Sequence, residues 1–292
     1  MTKTMLRAAA LVLAAAPAAL AQQTVDLKKP ADPKGRVRIE NMAGSTRVIG
    51  WERGEVTVTG SLGRGAEGVN LSGGPGRIDI EVDTERNPNG VRSDLEVHVP
   101  SGSQVEVEAF SAEITVTGVT GSVQAESVNG AITVSGADEV EAQSVSAGVT
   151  VTGGSRVKAE SVNGPVTLKG VRQDVEASTV NGPLQVSGSG FDRVRLEVVS
   201  GDVRFDGDLT GRADLSVESV SGGVELRLPA GQAAEFDLST FSGDIRNELS
   251  QEHAAKASRW TSQKELQFTT GSGGARVSAQ TLSGSIEIGT KK

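Results

Sequence analysis

Nine times along this chain a small hydroxyl or amide residue, followed by Gly or Ala, separates two short runs of alternating apolar residues. The pairs are Ser111-Ala112, Asn129-Gly130, Ser146-Ala147, Asn163-Gly164, Asn181-Gly182, Ser200-Gly201, Ser221-Gly222, Ser242-Gly243 and Ser283-Gly284. Successive spacings are 18, 17, 17, 18, 19, 21, 21 and 41 residues, the last close to two periods. A sustained period near 20 is the mark of a solenoid, in which each repeat buries its apolar face only against its neighbours.

One repeat, Val123 to Gly136, shows how the pattern is built. Val123 and Ala125 alternate with Gln124 and Glu126, the period of a half-buried strand. The parity then shifts from Ser127 to Val128, which reads as a corner or bulge. Asn129-Gly130 follows, a pair suited to left-handed backbone, and Ile132 and Val134 resume the alternation. Aligned repeats form five apolar columns, led by Val123, Ala125, Val128, Ile132 and Val134. The fifth column fails at Asn247.

Two all-β architectures can use these columns. Asn-Gly between alternating runs is also a hairpin signal, which would make an antiparallel meander. A meander gives no reason for the second column to enlarge along the chain, from Ala125, Ala142, Ala159 and Ala177 to Leu196, Val217 and Leu238. Widening coils do. The reading adopted is a single-stranded, β-helix-like solenoid of about nine or ten rungs, on the order of 45 Å long at about 4.8 Å per rung.

The rest of the chain divides around this region. Residues 1–21 read as a secretory signal, with Lys3 and Arg7 before an apolar run and Ala19-Leu20-Ala21 as a cleavage site. Residues 22–35 read as a linker, 36–110 as irregular opening rungs and 111–247 as regular rungs. Within the opening rungs, 62–76 is Gly-rich and reads as an exposed loop. Residues 248–274 read as a polar insertion, and 275–289 as a closing rung that restores the columns. After the signal no run is long and apolar enough to span a membrane.

Composition narrows the chemistry. There is no cysteine, so disulfides, thiolate metal sites and a lipidated cysteine are excluded. The formal charge is −8, and there are six Phe, two Trp and no Tyr. An acidic chain with few aromatics suits neither phosphate neutralisation nor base stacking, so nucleic acid is rejected as a partner.

Several segments carry a resemblance: RVRIENMAGSTRVIGWERGEVTVTG (36–60), LEVHVPSGSQVEVEA, VELRLPAGQAAEFDLSTFSGDI and ARVSAQTLSGSIEI (275–288). With these the chain resembles a bacterial family of adhesin-like proteins of unknown function, LiaG-like envelope proteins among them. The resemblance covers essentially the whole mature chain. It implies a β-solenoid of the cell envelope, with no active site to carry over.

Candidate chemistry on the rungs is sparse. The outward column Glu126, Gln143, Glu160, Ser178, Glu197, Glu218 could set carboxylates on adjacent rungs, with Lys158, Arg195 and Arg227 as nearby cations. Polysaccharide-active β-helices build sites of this kind; simple surface polarity explains the column as well. His98 and His253 lie far apart in sequence, so no metal site is expected. No nucleophile motif is present. The interchange of Asn with Ser at the turns argues for turn formation and a stacked side-chain ladder. Trp51 reads as a strand-end or core-capping residue. Candidate partner contacts are Trp260, Arg259 and His253, all in the insertion.

The expected protein is exported, periplasmic or extracellular, non-enzymatic and without a cofactor. It would bind an envelope component or polysaccharide. The alternatives are a polysaccharide-active enzyme and a scaffold that self-associates end to end through exposed strand edges.

Overall fold

A computed structural model describes residues 23–85, 90–256 and 262–291; the signal-like segment lies outside them. Equivalent residues of successive repeats pair in parallel and in register. Val123 lies beside Val140, Val140 beside Val157, and Val157 beside Val175. Ile132 lies beside Val149, and Val149 beside Val166. Hairpins would pair these strands antiparallel, so the meander is excluded and the β-solenoid-like coil stands. Each regular repeat adds one strand to each of two stacks, as Ser122–Ser127 and Ile132–Ser135 do. Longer strands such as Gln104–Thr117 and Val166–Asn181 run from one stack into the other. Both stacks turn their apolar residues into one continuous core. The enlarging column from Ala125 to Leu238 is fully inside it.

The corner column departs from expectation. Val128 does not continue the core, and the parity shift is not a bulge. The alternation runs on through Ser127, which points inward and is only 4% exposed, and the chain then turns with Val128 outside. A buried hydroxyl must find partners. Ser127 Oγ accepts the Gly130 N–H at 2.8 Å and donates to the Ala112 carbonyl of the preceding rung at 3.4 Å. Ser161 and Thr179 donate in the same way to Ala147 and Gly164, at 2.9 and 3.0 Å. The inward position is therefore polar because it ties each turn to the one before.

Nor does the turn glycine serve a left-handed backbone at this rung, since neither Asn129 nor Gly130 has positive φ. The constraint is rung-on-rung contact: a Cβ on Gly130 would collide with the Ala112 carbonyl. Beside these glycines, Asn129 Nδ2 donates to Ser111 Oγ at 3.2 Å and Asn181 Nδ2 to Asn163 Oδ1 at 2.9 Å. The expected side-chain ladder is present at those steps.

The closing rung is not the last rung in space. Strand Ala275–Ser283 inserts between Leu209–Ser221 and Ala234–Ser242, pairing in parallel with both. Ile286–Thr290 likewise inserts between Val224–Leu228 and Ile245–Asn247. The inserted order keeps one charge pattern intact. One outward column reads Glu139, Arg156, Asp174, Arg193, Asp214, Arg276, Glu235 along the stack, alternating in sign at every step. Without the insertion Asp214 would face Glu235, and like charges directly opposite are destabilising.

Both ends are finished by antiparallel strands. Gln23–Pro30, expected as linker, pairs with Glu55–Leu62, and Ala66–Gly74, expected as loop, pairs with Arg77–Thr84. At the other end Lys264–Thr270, within the expected polar insertion, pairs antiparallel with Ala234–Ser242. It buries Leu266 and stacks Phe268 on Phe236 with ring centroids 4.4 Å apart, sealing the core. Asn247, where the fifth column fails, organises the next turn: its side chain donates to Ser250 and to the Glu252 carbonyl and accepts from the Leu249 N–H.

Candidate interaction groove

The residues expelled from the core at the corner form the most unusual surface of the molecule. In stacking order they are Met42, Phe110, Val128, Val145, Val162, Val180, Val199, Val220, Leu282 and Phe241. Val162 is 40% exposed and Phe241 52%. Single exposed apolar residues are ordinary, whereas a contiguous apolar stripe marks an interaction site. The sizes are patterned too: large side chains stand at both ends, with six valines between them.

A second column runs parallel to this stripe. Two positions before each corner residue the strand turns a side chain outward, in the order Glu40, Glu108, Glu126, Gln143, Glu160, Ser178, Glu197, Glu218, Gln280, Ser239, and Glu81 extends this column beside Glu40. The two columns line one long groove, with segments of about 660 and 560 Å³ that meet at Ser178 and Val180. Gln263, from the expected insertion, lines its far end. Among the described residues every ionisable side chain lining the groove is a glutamate: Glu40, Glu81, Glu108, Glu126, Glu160, Glu197 and Glu218.

The rest of the same outward surface is built differently. The neighbouring cleft mixes cations with anions, among them Arg36, Glu106, Glu139, Arg156, Lys158, Asp174 and Arg195. Its cations pair with carboxylates of both the cleft and the groove. Lys158 Nζ lies 3.2 Å from Glu160 and 3.4 Å from Glu141, and hydrogen bonding to Glu160 is the main cause of its raised ammonium pKa. Arg195 is held in the same way by Glu197, and its pKa is likewise raised. Arg227 lies apart, on the other stack, clamped among Glu225, Glu248 and Glu287. Lys158 and Arg195 thus line the same cleft as in-plane partners of carboxylates, while Arg227 stands away from it. On the groove side Glu126 and Glu218 form no ion pair among the described residues.

The residues singled out from sequence lie elsewhere. Trp260 and Arg259 fall outside the described residues. His253 is exposed in the loop after Asn247 and does not line the groove. Its neighbour Glu252 has a lowered carboxyl pKa, first through a hydrogen bond with Ser250. His98 stands 3.8 Å from Glu96 on the outward face of its strand, and its ring lies 4.8 Å from Trp51. Trp51 ends its strand, donating to the Glu55 carbonyl at 2.9 Å beneath the Arg53 guanidinium. No group of three or more metal-ligating side chains occurs among the described residues, and none of their helices is long and apolar enough to cross a membrane. From the sequence the valines read as an apolar corner column and the glutamates as an outward column that surface polarity explains as well. The alternation itself carries the missed signal: Ser127 occupies the inward parity, so Val128 cannot.

Comparison with known proteins follows the fold. The family model for Toastrack DUF4097 matches residues 35–289. Among solved structures, a putative adhesin from Parabacteroides distasonis ATCC 8503 is similar at 10% identity and a TM-score of 0.49, over 92% of this chain and 98% of that one. A putative adhesin from Bacteroides fragilis NCTC 9343 is similar at 8% identity and a TM-score of 0.34, over 92% and 98%. No curated protein sequence matches the chain.

Proposed function

Because the chain belongs to the Toastrack DUF4097 family, we propose that it is an exported, non-enzymatic, adhesin-like protein that binds an elongated envelope partner along the groove. One observation carries this reading: an exposed apolar column runs the length of the stack beside an outward column that holds glutamates and, among the described residues, no cation. A repeated rung multiplies one weak contact, so affinity comes from many equivalent steps held at fixed spacing. The signal-like residues 1–21 support export to the periplasm or beyond. An enzyme is disfavoured by the mutual pairing of Lys158 and Arg195 with adjacent glutamates. End-to-end assembly is disfavoured by blunted edges: Lys28, Lys29 and Pro30 sit on the edge strand at one end, and the three-residue strand Ile245–Asn247 closes one stack at the other.

Co-sedimentation of the purified mature chain with fractionated cell envelope tests the reading. The expected result is binding to an envelope fraction that Val162→Asp abolishes and Thr152→Asp, on the other stack, leaves intact. Binding to no fraction, or equal loss in both variants, would overturn it. Release of reducing or unsaturated sugar ends from envelope polysaccharide would establish the enzyme instead.

A further inference from the structure

Resting on that reading of the groove, we propose that its occupant is a basic amphipathic α-helix of a partner polypeptide. The charge of the wall selects the first property. Among the described lining residues the only ionisable side chains are glutamates. Arg38 pairs with Glu40 and Glu108, Lys158 with Glu160 and Arg195 with Glu197, while Glu81, Glu126 and Glu218 form no ion pair among the described residues. A ligand seated on the valines meets unpaired carboxylates at Glu126 and Glu218, one at each end of the six-valine run, so complementarity calls for Lys or Arg at those steps of one flank. Anionic lipid headgroups and acidic glycans meet repulsion instead.

The apolar stripe selects the second. Its knobs repeat once per rung, at about 4.8 Å. A helix lying along the stripe presents one turn every 5.4 Å or so. Across the six valines from Val128 to Val220 the two repeats drift apart by about 3 Å, less than one rung. An extended chain shows a side chain on the same face every 6.7 Å or so, and drifts by roughly two rungs over the same knobs. A helix therefore stays in step where a strand does not. The valines leave a low floor between Phe110 at one end and Leu282 at the other, about 34 Å apart over seven rung steps. That length corresponds to roughly 22 helical residues.

The turn pairs that follow the valines are uncharged. On the far side of the valines stand the turn residues Asn129, Asn163, Asn181 and Ser200, exposed amides and hydroxyls without charge. The fitting helix is thus asymmetric: an apolar stripe, lysine or arginine on one flank, and neutral polar residues on the other.

The test uses the full purified chain and two fluorescein-labelled 22-residue helical peptides with identical leucine stripes. One carries lysine on the flank and the other glutamate, and binding is followed by fluorescence anisotropy. The lysine peptide is expected to bind saturably, at least tenfold more tightly than the glutamate peptide. The double variant Glu126→Lys with Glu218→Lys is expected to lose at least tenfold in that affinity, and Val162→Asp as much. Glu176→Lys, in the neighbouring mixed-charge cleft, should leave it unchanged; an equal loss there would reveal general charge attraction and refute the proposal. Equal binding of the two peptides would refute it as well. If envelope polysaccharide binds and Val162→Asp abolishes that binding while the lysine peptide stays free, the groove survives and its helical occupant does not. If Val162→Asp affects neither probe, the groove reading itself falls. Val162 is exposed, so circular dichroism of Val162→Asp should match the parent and separate lost binding from lost fold.

Discussion

Two substitutions on one strand separate the core from the groove. Leu196 and Val199 both lie in Leu184–Ser200, so they report on the same part of the coil. Leu196 is fully buried between Ala177 and Val217 of the adjacent rungs, whereas Val199 is 47% exposed. Leu196→Ala removes buried carbons and leaves a cavity between rungs that cannot close without breaking register, at a cost of about 3 kcal/mol. Val199→Ala removes two methyl groups already half in water. At ~0.8 kcal/mol per fully buried methylene, its cost is about 0.8 kcal/mol. Guanidinium-induced unfolding followed by far-ultraviolet circular dichroism measures both, with slopes compared to confirm that the same transition is read. Comparable losses in the two variants would refute the reasoning, because they would place the corner column inside the core.

Other outcomes follow from the same geometry. Gly222→Ala drives a Cβ into the Gly201 carbonyl at a residue whose φ is 142°; it should cost about 3 kcal/mol in chemical denaturation or prevent soluble expression. Arg227 joins Glu225 on its own strand to Glu287 of the inserted rung and to Glu248. Arg227→Met should therefore weaken the hold on Ile286–Thr290 by about 2 kcal/mol, read as faster amide exchange in that strand. The Asp244 carboxyl has a lowered pKa, first through its hydrogen bond from Lys264. A carboxyl depressed in the folded state stabilises it above the ordinary value of 3.8 and loses that contribution as pH falls through the folded value. Amide protection factors over Lys264–Thr270, corrected for the intrinsic exchange rate, should fall below about pH 4 in the parent more than in Asp244→Asn.

The coil was legible because its columns are one-dimensional: a residue type repeated at fixed period must stack on itself. Both the enlarging Ala-to-Leu column and the outward glutamates could be read that way. The corner valines misled because hydrophobicity outweighed parity in the reading. Ser127, Ser161 and Thr179 look like surface residues, yet they are inward anchors whose hydroxyls bridge turns. The inserted rung was hidden for a different reason. Sequence order suggests stacking order, and only the sign alternation of Asp214, Arg276 and Glu235 points to the exchange. Leu266 and Phe268 were submerged in a polar stretch, because a capping strand needs only two apolar residues to close a core end.

The absence of cysteine permits a direct test of the central claim. Single cysteines at Val162, Val199 and, as control, Thr152 on the other stack give chains with one thiol each. Maleimide labelling rates are measured with and without the envelope fraction that co-sediments with the protein. The account predicts that all three label readily in the free protein, and that bound envelope material protects Val162→Cys and Val199→Cys together while Thr152→Cys keeps its rate. Protection of Thr152→Cys alone, or corner cysteines that stay unreactive in the free protein, would contradict it.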